Sequence, residues 1–188
     1  MSTVLGIDEA GRGPVIGPMV MVGLVFREED LSKLKKLGVK DSKLLTRKQR
    51  EDLFDKILKI SVSHKIVIIE PKEIDEALIS KELNLNKLEA IKTAIIINDL
   101  KPDRVILDCP SVNCKSYTEY LKLFLKKDYK IKAEHKADLK YIEVSAASII
   151  AKVTRDNEIE KLKKKYGDFN SGYPSDLRTQ NFLKNNWN

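Results

Sequence analysis

Apolar and polar residues alternate along this 188-residue chain in two rhythms, and these rhythms predict its secondary structure. Short runs that are rich in β-branched residues and bounded by glycine, proline or polar residues predict strands. The predicted strands cover residues 3–7, 19–26, 61–70, 104–109 and 129–134. The fourth of these, RVILDC, is almost wholly apolar and follows Pro102, which is typical of a buried parallel strand that comes after a helix.

Helices are predicted where apolar residues recur every three or four positions. The predicted helices cover residues 46–58, 84–98, 115–126 and 143–165, with a short C-terminal helix from about Ser175. Thr46 and Asn84 stand at the expected N-cap positions of the first two. The order of strands and helices implies one α/β domain over residues 1–188, in which helices flank a mixed five-stranded sheet.

Acidic residues lie at or just after the ends of three predicted strands. Asp8 ends the first strand, Asp108 lies near the end of RVILDC, and Asp138 follows the fifth strand. A single carboxylate at such a place is often a cap or an ion-pair partner. Several carboxylates at one edge of a sheet repel one another, and a hard divalent cation is the usual compensation. Oxygen ligands alone favour magnesium or manganese over zinc.

Glu9 is the fourth candidate ligand, next to Asp8 in sequence. Neighbouring side chains of an extended strand point to opposite faces. We therefore predict a bend of the chain after Asp8 that would turn both carboxylates towards one site. Gly11 and Gly13 would make such a bend easier, because glycine accepts backbone angles that other residues avoid.

The charge of the chain is compatible with a polyanionic partner. Lysine and arginine number 35 against 28 acidic residues, which gives a formal charge of +7 and a pI near 9.2. A basic surface together with an oxygen-only metal site indicates a nuclease. A P-loop is excluded because GRGPVIG lacks the required Gly-Lys-Ser/Thr ending, and no nucleophile elbow of the G-x-S-x-G type is present.

Neither a membrane span nor a signal peptide is expected. The longest nearly apolar stretch, residues 14–26, is shorter than the roughly 20 residues that a transmembrane helix needs. The acidic pair at positions 8 and 9 is unlike a signal peptide, so we expect a cytoplasmic protein. The two cysteines, Cys109 and Cys114, are interpreted as small core or loop residues, because His64 and His135 are too far away in sequence to complete a zinc site.

Five motifs resemble those of type 2 ribonucleases H, the ribonuclease HII family, and they occur in the same order. They are DEAGRGPVIGP at 8–18, DSK at 41–43, LDCPSVN at 107–113, EHKADLKYIEVSAASIIAKVTRD at 134–156 and SGYPSD at 171–176. The last two are most similar to those of archaeal members. The resemblance implies a ribonuclease H-like fold and an enzyme that cleaves the RNA strand of RNA–DNA hybrids and incises duplex DNA at embedded ribonucleotides.

The resemblance also implies roles for individual residues. Asp8, Glu9, Asp108 and Asp138 would be the metal-binding acids, with Mg²⁺ or Mn²⁺ as cofactor. The resemblance further assigns substrate contacts: the backbone of Gly11, Arg12 and Gly13 would read the ribose 2′-hydroxyl, Tyr173 would pack on the following sugar, and Arg12 and Lys43 would contact phosphates. We expect a monomer.

Two other functions stay open at this level. A junction-resolvase-like nuclease of the same fold would prefer branched DNA, and a non-catalytic nucleic-acid-binding module would need only the basic surface. The chain starts its first strand at residue 3, without the N-terminal substrate-binding domain of the related ribonuclease HIII type. It continues only briefly after SGYPSD, where many relatives carry further helices, so we expect weaker duplex contacts.

Overall fold

A computed structural model describes residues 2–186 and shows a five-stranded mixed sheet in the order β3-β2-β1-β4-β5. The strands are β1 (Thr3–Ala10), β2 (Met19–Arg27), β3 (Ser63–Ile69), β4 (Arg104–Asp108) and β5 (Lys130–Glu134). β2 pairs antiparallel with both β1 and β3, whereas β1, β4 and β5 run parallel to one another. The predicted five-stranded mixed sheet is therefore confirmed.

Eight α-helices accompany the sheet in the described part of the chain. They are α1 (Leu31–Lys36), α2 (Arg47–Ile60), α3 (Pro71–Ile79), α4 (Leu85–Leu100), α5 (Cys114–Lys122), α6 (Ala137–Lys140), α7 (Ile142–Tyr166) and α8 (Leu177–Asn186). Every predicted helix is present, but α5 ends at Lys122 rather than 126, because the chain there tightens into i→i+3 hydrogen bonds. Helices α1, α3 and α6 were not predicted from the sequence. Of these, α1 and α6 are too short to show a helical period.

Both predicted N-caps are confirmed. The Thr46 hydroxyl accepts a hydrogen bond from the Gln49 amide at 3.2 Å, and the Gln49 side chain accepts one from the Thr46 amide at 2.9 Å. This reciprocal pair is a capping box, and it fixes the start of α2. The Asn84 side chain accepts a hydrogen bond from the Lys87 amide at 2.9 Å and so caps the start of α4.

Two apolar clusters cover the two faces of the sheet. The long helix α7 packs against β1 and β2 on one face, where Val4 of β1 belongs to its cluster. Helices α3, α4 and α5 cover the other face, where Leu5 and Ile7 of β1 are buried. Successive residues of β1 therefore point alternately to α7 and to α4. None of the helices within residues 2–186 is long and apolar enough to cross a membrane.

The first strand is longer than predicted and does not bend after Asp8. Asp8, Glu9 and Ala10 all stay in register with β2, opposite Val22, Met21 and Val20. The predicted bend is wrong, because the hydrogen-bonded ladder with β2 holds the backbone extended as far as Ala10. The chain leaves the strand only at Gly11, whose φ is +96°.

Candidate active site

Asp8 and Glu9 lie at the carboxyl end of β1 and follow its alternation. Asp8 faces α7 and is 5% exposed, and Ser148 of that helix is its polar neighbour there. One of its carboxylate oxygens also accepts a hydrogen bond from the Glu9 amide at 2.8 Å. Glu9 faces α4, where the carboxylate of Glu89 is close enough to repel the carboxylate of Glu9. The two acids therefore occupy opposite faces of the strand end.

Asp108 lies near both Asp8 and Glu9. It ends β4, the parallel neighbour of β1, and its charge acts on both Asp8 and Glu9. Its carboxylate accepts a hydrogen bond from the Ala137 amide at 2.9 Å, which fastens the start of α6 to the end of β4. The carboxyl ends of parallel strands are the usual place for binding sites in such sheets.

Asp138 is carried by α6, directly after β5. The turn that leads into this helix passes through Lys136, which has the left-handed φ of +57°. Asp138 is 4% exposed, and the Ser145 hydroxyl of α7 donates a hydrogen bond to its backbone carbonyl. Its charge acts on both Asp8 and Asp108. The structure thus brings all four predicted acids to one end of the sheet.

Burial and mutual repulsion make three of these acids harder to ionise. Burial, with the charges of Asp108 and Asp138 as smaller causes, raises the pKa of Asp8 to about 7. Burial and the neighbouring charge of Asp8 raise the pKa of Glu9 well above its ordinary value. Burial also raises the pKa of Asp108. Such a cluster suits a divalent cation, because bound positive charge would offset both the lost hydration and the repulsion.

Two lysines lie on the α7 side of the acids. The Lys43 ammonium is 3.4 Å from an Asp138 carboxylate oxygen, and the charge of Asp138 raises the pKa of Lys43. Lys152 of α7 donates hydrogen bonds to the hydroxyls of Ser42 and Ser148, and burial lowers its pKa. The Lys43 side chain is 66% exposed, so it can reach an anionic ligand beside the acids.

Gly11, Gly13 and Tyr173 form a second group next to the acids. A side chain at Gly11 would clash with Arg155, whose Nε would be 2.5 Å from the added Cβ. Gly13 lies against the Tyr173 ring, which is 3.3 Å from the place of its missing Cβ. The segment after Gly13 is hydrogen-bonded to the turn that carries Tyr173, because the Val15 amide donates to the Gly172 carbonyl at 2.8 Å.

Arg155 of α7 is hydrogen-bonded to the segment 11–18, which we call the glycine loop. Its guanidinium donates hydrogen bonds to the carbonyls of Pro18 at 3.3 Å and Ile16 at 3.2 Å. It also lies over the Tyr173 ring, 6.0 Å from the ring centroid. A buried arginine thus joins the glycine loop, the Tyr173 turn and α7.

Arg12 has protein partners that the sequence did not reveal. Its Nε donates to a carboxylate oxygen of Glu89 at 2.9 Å, and a terminal nitrogen donates to the side chain of Asn86. Burial raises the pKa of Glu89 to about 7 in spite of this pairing. The Arg12 side chain is still 39% exposed, so the expected phosphate contact stays a prediction.

A cleft of about 370 Å³ joins these groups. It is lined by Glu9, Ala10, Gly11, Arg12, Gly13, Ser42, Lys43, Arg50, Lys152, Arg155, Asp156 and Tyr173. Of the four site acids, Glu9 lines this cleft, and the other charged residues of the lining are five cations and Asp156. This arrangement suits a phosphodiester held beside a divalent cation.

Sequence reasoning missed three charged residues of this region: the buried Glu89 and Arg155, and the half-buried Lys152. Helical spacing carried a signal for two of them. Arg155 is four residues from both Ala151 and Ile159, which are buried, and Glu89 is four residues before Thr93, which is also buried. A charge on a buried helix face requires a partner and is a candidate for a functional site.

Cys109 is a buried core residue, as expected, but the expectation that the cysteines lack a histidine partner is wrong. Cys109 and Cys114 are free thiols, and the Cys114 sulfur is 3.3 Å from Nε2 of His135. His135 is distant in sequence but follows β5, which pairs with β4 immediately before Cys109. Strand pairing therefore supplies the neighbour that the sequence did not show.

Comparison with known proteins gives one consistent family. The family model for ribonuclease HII matches residues 5–188. Ribonuclease HII of Pyrococcus horikoshii is 51% identical over 183 residues, which cover 96% of this chain and 81% of that protein. The crystal structure of ribonuclease H2 from P. horikoshii OT3 has a TM-score of 0.90 at 50% identity, and the match covers 97% of this chain and 86% of that one.

Two further solved structures share the fold. The ribonuclease HII in the PCNA complex from Archaeoglobus fulgidus has a TM-score of 0.88 at 45% identity, covering 97% of this chain and 87% of that one. Bst ribonuclease HIII in complex with Mn²⁺ has a TM-score of 0.81, covering 97% of this chain and 62% of that one. At 22% identity the latter shows the ribonuclease H-like fold alone. From the extent of these matches, the chain belongs to the ribonuclease HII family of metal-dependent endoribonucleases, which cleave RNA in RNA–DNA hybrids.

Proposed function

We propose that this protein hydrolyses the RNA strand of RNA–DNA hybrids and also incises duplex DNA on the 5′ side of single embedded ribonucleotides, leaving 5′-phosphate and 3′-hydroxyl ends. The observation that carries the proposal is that the acids at the ends of β1 and β4 and on α6 lie close enough for their charges to act on one another. These acids are Asp8, Glu9, Asp108 and Asp138. Three of these acids are destabilised in their ionised forms when no cation is bound. The match to the ribonuclease HII family adds the substrate class.

The same four acids would hold the metal, Mg²⁺ or Mn²⁺. Their donor atoms are oxygens only, which fits a hard divalent cation. Two such ions would supply activation of the attacking water and stabilisation of the leaving oxygen. The protein positions the acids for this purpose through β1, β4 and α6, and it fastens two of these elements together by the hydrogen bond from Ala137 to Asp108.

The glycine loop is proposed to recognise the ribose. Because Gly11 and Gly13 have no Cβ, Arg155 and the Tyr173 ring can pack directly against this loop. The loop also lines the cleft, and we propose that its backbone contacts the sugar there. The 2′-hydroxyl is both donor and acceptor and distinguishes RNA from DNA at a single position. Tyr173, which is 43% exposed, would pack on the next sugar.

The cations around the cleft are proposed to bind the phosphates. Lys43 and Arg12 both line the cleft and keep exposed side chains, although each also pairs with an acid. Phosphate oxygens would share or replace those acidic partners when substrate binds. The Archaeoglobus relative was solved in a complex with PCNA. For this protein we propose a monomer that acts in the cytoplasm.

The test compares three matched substrates: a hybrid, a DNA duplex with one ribonucleotide, and the all-DNA duplex. We expect cleavage of the first two with Mg²⁺ or Mn²⁺, none of the third, and none of any in a chelator. Asp138→Asn should abolish cleavage, and sequencing-gel markers should place the single-ribonucleotide cut on its 5′ side. Cleavage of a four-way DNA junction in preference to the hybrid would instead indicate a resolvase, and binding without cleavage would indicate a non-catalytic module.

A further inference from the structure

Cys109, Cys114 and His135 form a compact group of potential metal ligands beside the acids. Their ligand atoms all lie within 4.8 Å of one another. Cys109 directly follows β4, Cys114 is the first residue of α5, and His135 directly follows β5. Three separate elements thus each present one sulfur or nitrogen donor to the same point.

The spacing of these donors is close to that around a bound ion. Zinc–sulfur and zinc–nitrogen bonds in a tetrahedral site place neighbouring ligand atoms about 3.6–3.8 Å apart. The Cys114 sulfur and His135 Nε2 are 3.3 Å apart, and no pair exceeds 4.8 Å. Small side-chain rotations would therefore bring all three donors to bonding distance. Both thiols now lie near a single acceptor, the Ser111 carbonyl, at 3.3 and 4.0 Å.

The chemistry of this group differs from that of the acid site. Thiolate and imidazole are the ligands that zinc selects, whereas magnesium and manganese select oxygen. Burial decreases from Cys109, which is 7% exposed, through Cys114 to the exposed His135. A cation can therefore enter from the His135 side, and solvent can occupy a fourth position.

We propose that Cys109, Cys114 and His135 bind one zinc ion in a three-ligand site that is separate from the acid cluster. On binding, the two thiols release their protons to solvent, and neutral His135 binds through a ring nitrogen. The ion links the ends of β4 and β5 to the start of α5. Because Asp108 precedes Cys109 and Asp138 lies three residues after His135, this link restrains the backbone that carries two of the acids.

The experiment uses the full chain, purified metal-free with a phosphine reductant so that both thiols stay reduced. Zinc affinity is measured in competition with a chromophoric chelator, and cobalt is used as a spectroscopic probe. We expect one strongly bound equivalent of zinc, a thiolate-to-cobalt charge-transfer band, and a higher melting temperature with zinc. Asp8→Asn should keep all three properties, because it alters only the acid site.

Cys114→Ser and His135→Ala test the ligands, and neither side chain is fully buried, so both variants should fold. Each should weaken zinc binding at least 10-fold. His64→Ala is the matched control, because His64 is the other of the chain's two histidines and lies on β3, at the opposite edge of the sheet. It should bind zinc as the parent does.

Three results would overturn the proposal. The first is a cobalt complex without a thiolate band, and the second is zinc binding that survives Cys114→Ser and His135→Ala but disappears in Asp8→Asn, which would place zinc at the acids. The third is a Cys109–Cys114 disulfide, found by mass spectrometry, that forms even with reductant and leaves no zinc bound. Melting curves of the metal-free variants check that lost binding is not lost folding.

Discussion

Asp8 is a buried acid in the central strand, and its protonation is linked to the stability of the metal-free fold. Burial raises its pKa to about 7 from the ordinary 3.8, so the folded protein binds this proton more tightly than the unfolded chain does. The proton therefore stabilises the fold fully below about pH 4, and this contribution is lost as the pH rises through about 7. A cation at the acids would restore stability at neutral pH.

The Asp8→Asn variant should lose all cleavage but gain stability without metal. We expect its free energy of unfolding in a chelator at pH 8 to exceed that of the parent by about 1–3 kcal/mol, because a buried charge is removed. Urea denaturation at pH 8 and pH 4 measures this, and the gain should vanish at pH 4, where Asp8 is already protonated.

The exposed acid Asp55 of α2 provides the control for this change. Asp55→Asn should leave both cleavage and stability unchanged. Retained cleavage in Asp8→Asn would remove Asp8 from the proposed site, and an unfolded variant would show that the acid is needed for the fold.

Tyr173 tests recognition of a single ribonucleotide. Tyr173→Ala should lower kcat/KM on a duplex with one ribonucleotide at least 10-fold, and less on a long hybrid, because a hybrid offers many alternative registers. Tyr173→Phe keeps the ring and should keep most of the activity. Steady-state kinetics on the two substrates measure the difference.

The melting temperature separates this role from a structural one. Tyr173 is 43% exposed, so its removal should change the melting temperature little. Equal losses on both substrates, together with a large fall in melting temperature, would show that Tyr173 only anchors the C-terminal turn to Gly13 and Arg155.

At the scale of elements, the contact between β1 and α7 positions Asp8. Gly6 allows this contact, since a Cβ at this residue would lie 2.3 Å from the Glu143 carbonyl oxygen and 2.8 Å from the Val144 amide nitrogen. Both atoms belong to the backbone at the start of α7, so no side-chain rotation can relieve the clash. Ser148, the polar neighbour of Asp8 on α7, lies one turn further along the same helix.

Gly6→Ala should therefore destabilise the protein by about 3 kcal/mol, because α7 must move away from the sheet. Chemical denaturation measures this loss, and activity of the remaining folded enzyme should fall as Ser148 and Lys152 move with the helix. Gly38→Asn is a suitable control, since no atom lies within 4 Å of its missing Cβ and asparagine tolerates its φ of +81°. A Gly6→Ala variant of unchanged stability would contradict this packing.

At the scale of the whole molecule, the +7 charge should make substrate binding dependent on salt. Each cation that contacts a phosphate releases counterions, so log K should fall linearly with log salt concentration. Fluorescence anisotropy with the non-cleaving Asp8→Asn variant measures this slope. Lys43→Gln should reduce its magnitude by about 1.

Lys56→Gln serves as the matched charge control, because Lys56 is an exposed lysine of α2 that does not line the cleft. It should leave the slope unchanged. An affinity independent of salt, or equal effects of the two substitutions, would contradict a phosphate contact by Lys43.

The sequence by itself determined the five strands, five of the eight described helices, the sheet type and the set of acids. Periodicity and caps are local properties, so they located β1 and the starts of α2 and α4, and the order of elements gave a mixed sheet. Local pattern also marked Asp8, Asp108 and Asp138 as strand-end acids. Glu9 was a candidate because it directly follows Asp8. The family motifs added the substrate contacts, whose roles stay predictions.

Only the tertiary structure decided which residues meet. The ladder with β2 keeps β1 straight through Ala10, so Asp8 and Glu9 serve opposite faces and Asp108 of the neighbouring strand connects them. Packing of α7 buries Arg155 under the glycine loop, and pairing of β4 with β5 brings His135 to Cys114. These contacts join residues ten or more positions apart. Strand pairing and helix packing set them, and a local pattern does not encode either.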